Sequence, residues 1–541
     1  MVPNVGAPTW VKAGLFVCAG LLCAARGRAS TGDAPPANGP SGDKPAAEAF
    51  FDVHEYRVLG NTVLANVDIE RVLYPLLGDH KTLADVEVAR SALEKTYHDR
   101  GYLTVFVDIP EQDVGESIVR LRVTEGKLRQ VSISGARFFS ERKIRAALPA
   151  AAAGTVPNIP ALQEQLAAVN SESTDRTVVP VLKAGPTPGT VDLALKVDDH
   201  SPLHGSIDLN NQYSPDTKPL RATIALNYNN LFNRLDSIAA QFQDAVQEAG
   251  SVDVFAADYA LAPLASGLRP SIYYIHSNSN AATIGTVGVL GKGEIYGVRV
   301  SYPFFEAHGV LQSVVFGADY KHFHDTIGLA SMPALITPIS YTLGSLGYAG
   351  SYTKDALQGI FSLAANFGVR RAPNNADTFA NKRFEGQPNF FYVRGDENLL
   401  VTLPKGFHLQ VRVAGQYAEE PLISNENYSI AGADGVRGYL EAESLGDSAI
   451  KGTLQLDSPV WNLHGRPLAE AFLYYDLGRA DVIDALPNEA AITRLRSYGG
   501  GLNLWPGRPL TGPFTVADPL TDGPRTHHGD SRVLFDVRAS F

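Results

Sequence analysis

From about Leu203 to the end of the chain, apolar and polar residues alternate with a period of two. Ala222, Ile224, Leu226 and Tyr228 alternate with Arg221, Thr223, Ala225 and Asn227, and Tyr296, Val298, Val300 and Tyr302 with Gly297, Arg299 and Ser301. The pattern returns at Phe361–Val369 and Phe407–Val413, and again at Val533, Phe535, Val537, Ala539 and Phe541, set against Asp536, Arg538 and Ser540. Such runs are what a transmembrane antiparallel β-barrel requires, one face toward lipid and the other toward an aqueous lumen. A soluble β-sandwich also alternates. The length of these runs, the Arg, Asp and His on their polar faces and the Tyr and Phe near their ends favour the barrel. Residues 203–541 leave room for about 16 strands.

Ahead of Leu203 the texture is α+β. Val53–Leu59 reads as a strand, Val67–Leu77 as a helix with Ile69, Val72, Leu73 and Leu76 on one face, and Asp85 as the cap of a second helix bearing Val86, Ala89, Leu93 and Tyr97. Strands over Tyr102–Ile109 and Ser117–Thr124 complete a unit of order β-α-α-β-β, residues 51–126. The order repeats over 127–200: a strand at Leu128–Ser134, a helix at Glu141–Leu148, a second helix marked by Leu162, Leu166 and Val169, then strands at Thr177–Lys183 and Thr190–Val197. Two copies of one small unit predict a modular arm.

The N-terminus changes the picture by adding export. Lys12 precedes the apolar run Ala13–Ala25, and Gly27-Arg28-Ala29 offers small residues for cleavage, so residues 1–29 read as a signal peptide. Residues 30–50, rich in Pro, Gly and Ala, read as a flexible linker. Both cysteines, Cys18 and Cys23, fall in the signal, which leaves the mature chain without a disulfide. The net charge of −11 argues against a nucleic-acid partner.

Few residues suggest chemistry. His322-Phe323-His324-Asp325 and His527-His528 have no second cluster at matching spacing, and Gly291-Lys292-Gly293 lacks the strand–turn–helix setting of a phosphate loop. No Ser/His/Asp or paired-carboxylate arrangement stands out, so the reading is no enzyme, no cofactor and no metal. Two stretches remain. In Gly432-Ala433-Asp434-Gly435-Val436-Arg437-Gly438-Tyr439 an arginine lies among glycines, and in Tyr474-Tyr475-Asp476-Leu477-Gly478 an aspartate lies among aromatics, where an unpaired carboxylate is costly to desolvate. A bidentate Arg–carboxylate pair suits a loop pinned in one place. An ordinary surface turn accounts for the same arginine, and these residues alone leave both open.

An exported chain with two such units and a terminal barrel resembles the two-partner secretion transporters, the TpsB or ShlB/FhaC/HecB haemolysin secretion/activation family with POTRA domains. Gly60-Asn61-Thr62, Tyr97-His98-Asp99-Arg100-Gly101-Tyr102, Pro110-Glu111-Gln112 and Val123-Thr124-Glu125-Gly126 resemble its leading POTRA repeat. Asn170, Arg176-Thr177-Val178 and Gly185-Pro186-Thr187-Pro188-Gly189-Thr190 resemble the segment entering its barrel. Val436, Arg437, Gly438 and Tyr439 match its signature on a loop folded into the lumen, and Asp476 matches the barrel-wall acid that holds the arginine.

The resemblance implies an outer-membrane barrel with its POTRA domains in the periplasm, where an unfolded secreted client docks by strand addition before threading through the lumen. It also implies outer-membrane lipid and, through the strand ending at Phe541, the barrel-assembly machinery as partners. Two departures stand out: Gly432-Ala433 replaces a pair of glycines often found before the signature, and Ser30–Ala49 lacks the periodicity of the plug helix that many relatives carry. An outer-membrane assembly factor of the same superfamily is the second reading, and a passive porin the third.

Overall fold

The computed structural model describes residues 50–250, 252–279, 281–284, 287–306, 310–327, 335–369, 373–487, 489–507 and 510–541. The expected signal peptide and nearly all of the linker lie outside them. The chain divides into two compact units, one ending at His200 and one running from Ser201 to Phe541.

Among the described residues the first unit holds two three-stranded sheets, each backed by helices, and one separate two-stranded pair. In the leading module β1 (Phe51–Val53), β2 (Glu55–Leu59), α1 (Asn66–Leu73), β3 (Gly78–Lys81), α2 (Leu83–Asp99), β4 (Val105–Asp108) and β5 (Ile118–Glu125) follow in order. The sheet order is β2-β5-β4, with β2 parallel and β4 antiparallel to β5. Ile69 and Leu73 of α1 and Val86, Ala89, Leu93 and Tyr97 of α2 bury against Val105, Val107, Val119, Leu121 and Val123.

Three local expectations need correction. The first strand breaks at His54, and its leading piece β1 pairs with β3, whose Gly-Asp-His-Lys sequence has no apolar alternation to announce it. Helix α1 stops at Leu73 and tightens into a 3₁₀ turn over Tyr74–Leu76, because Pro75 brings no N–H to extend an α-helix. The cap of α2 is Thr82, and Asp85 is its reciprocal partner in a capping box.

The second module repeats the plan with β6 (Lys127–Ser134), α3 (Glu141–Ala146), α4 (Ile159–Ser171), β7 (Arg176–Ala184) and β8 (Thr190–Asp199), in sheet order β6-β8-β7. One device marks the two as copies. Glu125, ending β5, accepts from Thr62 N at 2.6 Å and Val63 N at 3.2 Å, just beyond β2. Asp199, ending β8, accepts from Arg137 N and Phe138 N at 2.8 Å and Phe139 N at 3.3 Å, just beyond β6. In each case a carboxylate satisfies backbone donors that the turn after the first strand leaves unpaired.

Among the described residues, the second unit is a closed barrel of sixteen antiparallel strands, with the short segment Trp461–Leu463 continuing Ser448–Asp457. The first strand, Leu203–Asn210, closes on the last, Arg532–Ser540, in register from Asn210↔Asp536 to Ser206↔Ser540. Phe541 prolongs this seam, exchanging backbone hydrogen bonds with Gly205 at 3.0 and 3.1 Å. The alternation sorts as a membrane barrel demands: Ile224 and Leu226 are about half exposed on the outer wall, while Arg221 and Thr223 are buried within. Strands Val310–Ile327 and Leu335–Lys354 exceed the roughly 9–11 residues a bilayer needs and extend past it at the outer end.

Candidate functional site: the lumen loop

Strands His408–Ala418 and Ser448–Asp457 are joined by residues 419–447, which turn inward. The strand opposite the tip of this loop, Arg466–Asp481, shows how. Leu473, Tyr475 and Leu477 are exposed to lipid, and Phe472, Tyr474, Asp476 and Ala480, on the opposite face of the strand, are buried toward the lumen. Only a segment inside the barrel can reach that inner face.

The structure brings Arg437 and Asp476 together. Arg437 Nε donates to Asp476 Oδ2 at 2.8 Å, Nη2 to Oδ1 at 2.9 Å, and the Arg437 backbone N–H to Oδ2 at 3.1 Å. The third side-chain nitrogen, Nη1, donates to Gln455 Oε1 at 2.8 Å. The guanidinium carbon also stands over the Tyr474 ring, 3.3 Å from its centroid. Asp476 is fully buried, so its charge is matched by a parallel pair of charge-assisted bonds and a backbone donor. Tyr474, named in the sequence only as an aromatic beside Asp476, and Gln455, which no motif marks, complete the grip.

The other signature residues shape the tip. Val436 is buried against Gly478, where a Cβ on the wall would stand 2.9 Å from Val436 Cγ2. Gly438 has φ +98°, and a Cβ there would meet Pro519 Cγ at 3.2 Å, so this turn needs glycine. Tyr439 OH donates to Thr521 O at 2.6 Å, and Thr521 N donates back to it at 3.2 Å. Further along, Glu443 accepts from Thr526 Oγ1 at 2.7 Å, and Arg532 reaches Gly438 O at 3.5 Å.

Two carboxylates that sequence reasoning missed hold the rest of the loop. Glu426 is buried and accepts from Lys321 Nζ at 2.6 Å, Tyr392 OH at 2.7 Å and Tyr341 OH. Asp447, fully buried, accepts from Leu422 N at 2.9 Å and Ile483 N at 2.7 Å. Neither residue sits in a periodic run or a motif, so nothing local singles it out. The histidine pairs go elsewhere: His322 Nδ1 bonds Ser340 Oγ at 2.6 Å, and His527 lies 3.7 Å from Asp522. Gly291-Lys292-Gly293 leads into the strand Gly293–Glu306, with no helix following.

The sequence signature of the POTRA domain, ShlB-type, matches residues 51–126, and that of the haemolysin secretion/activation protein ShlB/FhaC/HecB matches residues 189–504, more than half of the chain. The chain belongs to that family. It is therefore an outer-membrane protein transporter of two-partner secretion, with a closed barrel and periplasmic POTRA domains. The outer membrane transporter CdiB of Dickeya dadantii is 22% identical over 428 residues, which cover 76% of this chain and 73% of the relative. The solved structure of CdiB from Escherichia coli superposes with a TM-score of 0.58 at 19% identity, covering 93% of each chain. BamA from Haemophilus ducreyi, lacking POTRA domains 1–3, shares the fold at a TM-score of 0.56 and 12% identity, over 91% of this chain and all of that one. Fold alone thus does not separate exporter from assembly factor; the family match does, and it favours the exporter. The family is one of transporters, not of enzymes.

Proposed function

We propose that the transporter captures its unfolded secreted partner by strand addition at β2 and passes it through the lumen while the Arg437–Asp476 pair keeps the loop tip docked to the wall. The observation that carries this reading is the state of the four outer edges of the two three-stranded sheets in the N-terminal unit. On β4, His98 Nε2 bonds Val105 O at 3.0 Å, Glu94 takes Val107 N at 2.9 Å, and Arg90 gives to Val107 O at 3.0 Å. On β6, Leu128 pairs with Thr155 and Gly154, and Arg145 covers Val131 O at 3.1 Å. On β7, Asn170 bonds both N and O of Val178, at 2.8 and 3.1 Å, and Pro180 has no N–H to offer. Among the described residues no side chain caps the outer edge of β2. Unpaired strand edges recruit another chain by main-chain hydrogen bonds, independent of its side chains.

Arg437 and Asp476 act in this reading as positioning residues, and client folding outside the cell supplies the driving free energy. The strand ending at Phe541 is the segment we assign to recognition by the barrel-assembly machinery.

Proteomics of medium and outer membrane from a deletion strain comes first. Loss of one large secreted protein with other barrels unchanged is expected, whereas a broad fall in outer-membrane barrels replaces this reading with the assembly factor. With the partner known, a photo-crosslinking residue at Arg57, exposed on β2, captures it during export. The rival position is Phe106, which is exposed on a groove of about 540 Å³ lined also by Leu103, Leu182 and Pro186. Crosslinks from Phe106 and none from Arg57 would move capture to that groove.

A further inference from the structure

We propose that the outer mouth of the pore is closed by a gate distinct from the signature at the loop tip: the stem of the lumen loop, clasped by Glu426, and the helix Ala376–Lys382, latched by Arg383. The loop is fastened on two sides of the lumen. Its tip holds strands Arg466–Asp481, Ile492–Gly507 and Arg532–Ser540 through Arg437, Tyr439 and Gly438. Through Glu426 its stem holds Val310–Ile327, Leu335–Lys354 and Phe391–Thr402, which lie on the other side of its own pair of wall strands. A segment tied to both arcs crosses the path a client must take.

Apolar packing fills the mouth beside the stem. Leu422 and Ile423 join Phe323, Tyr341, Phe379 and Phe390 in one buried cluster. Phe379, from the helix, lies 5.7 Å from the Tyr341 ring and 5.9 Å from Phe390, centroid to centroid. Such a cluster is out of place in a water-filled lumen and is what a constriction that excludes water and ions is made of. Arg383 follows the helix and ties it, across the lumen loop, to the outer loop after strand Arg466–Asp481. It donates to Ile483 O at 2.7 Å and stands 3.4 Å from Glu489 and 3.6 Å from Asp447. Asn425 Nδ2 adds a bond to Leu290 O at 2.6 Å, from a third outer loop.

The two fastenings differ in kind. At the tip, the guanidinium pair, the Tyr439 hydroxyl, Gly438 and Glu443 hold separately, and losing one leaves the others. At the stem, three donors from three wall strands converge on the one carboxylate of Glu426, so losing its grip frees those three strands together and leaves the stem held at its root, where Asp447 takes the Leu422 amide, and by Asn425. The stem is the side that yields, while Arg437 stays bound.

The test is conductance of the purified full-length transporter in planar bilayers, with heat-modifiable gel mobility as the check on folding. It needs no client, so its failure leaves the export reading standing. Glu426→Ala and Arg383→Ala are each expected to raise the resting conductance at least tenfold at unchanged mobility. Glu426→Gln should fall between Glu426→Ala and the parent, since the two tyrosine hydroxyls keep an acceptor. Phe379→Ser leaves both clasps in place and should open the mouth as well; it decides the matter if Glu426→Ala does not fold. Parent-level conductance in a folded Phe379→Ser, together with a folded Glu426→Ala or alone where that variant does not fold, would overturn the proposal. So would opening by Arg437→Ala and by none of these variants.

Discussion

Asp476→Ala removes the acceptor of three hydrogen bonds from Arg437 and leaves a guanidinium, only 14% exposed in its side chain, facing a wall that no longer carries a charge. Breaking a buried ion pair by removing one partner costs about 3–5 kcal/mol, chiefly through the charge left behind. Gln455 and the Tyr474 ring still face Arg437 and offset part of this, so about 3 kcal/mol is the expected loss for the docked tip. At 1.4 kcal/mol per factor of ten, the detached tip becomes about a hundredfold more populated. Arg437→Ala frees Asp476 in turn and should cost a similar amount. The double variant should be no worse than either single one, because the two residues act as one interaction. Export is read as partner protein in the medium, and insertion as heat-modifiable mobility of the barrel. Loss of export with normal insertion is the expected result for all three variants. Normal export by Arg437→Ala would remove the pair from the mechanism, and strictly additive defects in the double variant would refute the coupling.

Leu473→Lys places a charge on the lipid face near the middle of its strand and should destabilise the barrel by about 2–3 kcal/mol, seen as a lower unfolding midpoint in urea. Gly438→Ala forces a Cβ into a left-handed turn at a cost of about 1–2 kcal/mol and should make the loop tip more open to protease without changing insertion. Glu125→Ala leaves the Thr62 and Val63 amides without their acceptor and should weaken the leading module by about 3 kcal/mol, read as faster proteolysis near Gly60. The Asp85 carboxyl is held below its ordinary value by the Thr82 backbone N–H and hydroxyl. Its contribution is therefore complete above the unfolded value of about 3.9 and is lost as pH falls through the lower folded one. Amide exchange at the start of α2, corrected for intrinsic rate, should stay constant from pH 7 to about pH 4 and rise only below it.

The sequence made the barrel legible because lipid enforces its rule at every second residue. Ile224, Leu226, Leu363 and Phe367 had to face out, and a shift of one residue would have put Arg221 or Asn366 into hydrocarbon. Helices α2 and α4 were legible for a similar reason, since each buries a face of helical period. The pair β1–β3 was not, because its hydrogen bonds are made by the backbone and place no demand on side chains. Arg437 and Asp476 stood out only through a motif; nothing in spacing alone joins residues 39 apart across a lumen. Glu426 and Asp447 escaped notice entirely. Their roles come from three-dimensional convergence of strands far apart in the chain, and each looks in isolation like any loop acid.

In the mechanism proposed above, capture at β2 and gating in the lumen make opposite demands on bond strength, and the two units meet them differently. Strand β2 offers only five residues, Glu55–Leu59, to an added strand. Each main-chain hydrogen bond is worth about 0.5–1.5 kcal/mol net, so the few available give only a weak hold once the ordering of the client is subtracted. Weakness is what the mechanism needs there. In a compartment without nucleotide, a client held tightly at the periplasmic arm has nothing to release it. In the lumen the need is reversed. A pore wide enough for a polypeptide must not leak while idle, and its closure must survive thermal fluctuation without energy input. Buried carboxylates that each collect several donors, Glu426, Asp447 and Asp476, concentrate that strength at a few points. In that proposal a chain pushing through has to displace the Glu426 clasp and the Arg383 latch, and the tip of the loop stays bound and restores the closed state once it has passed.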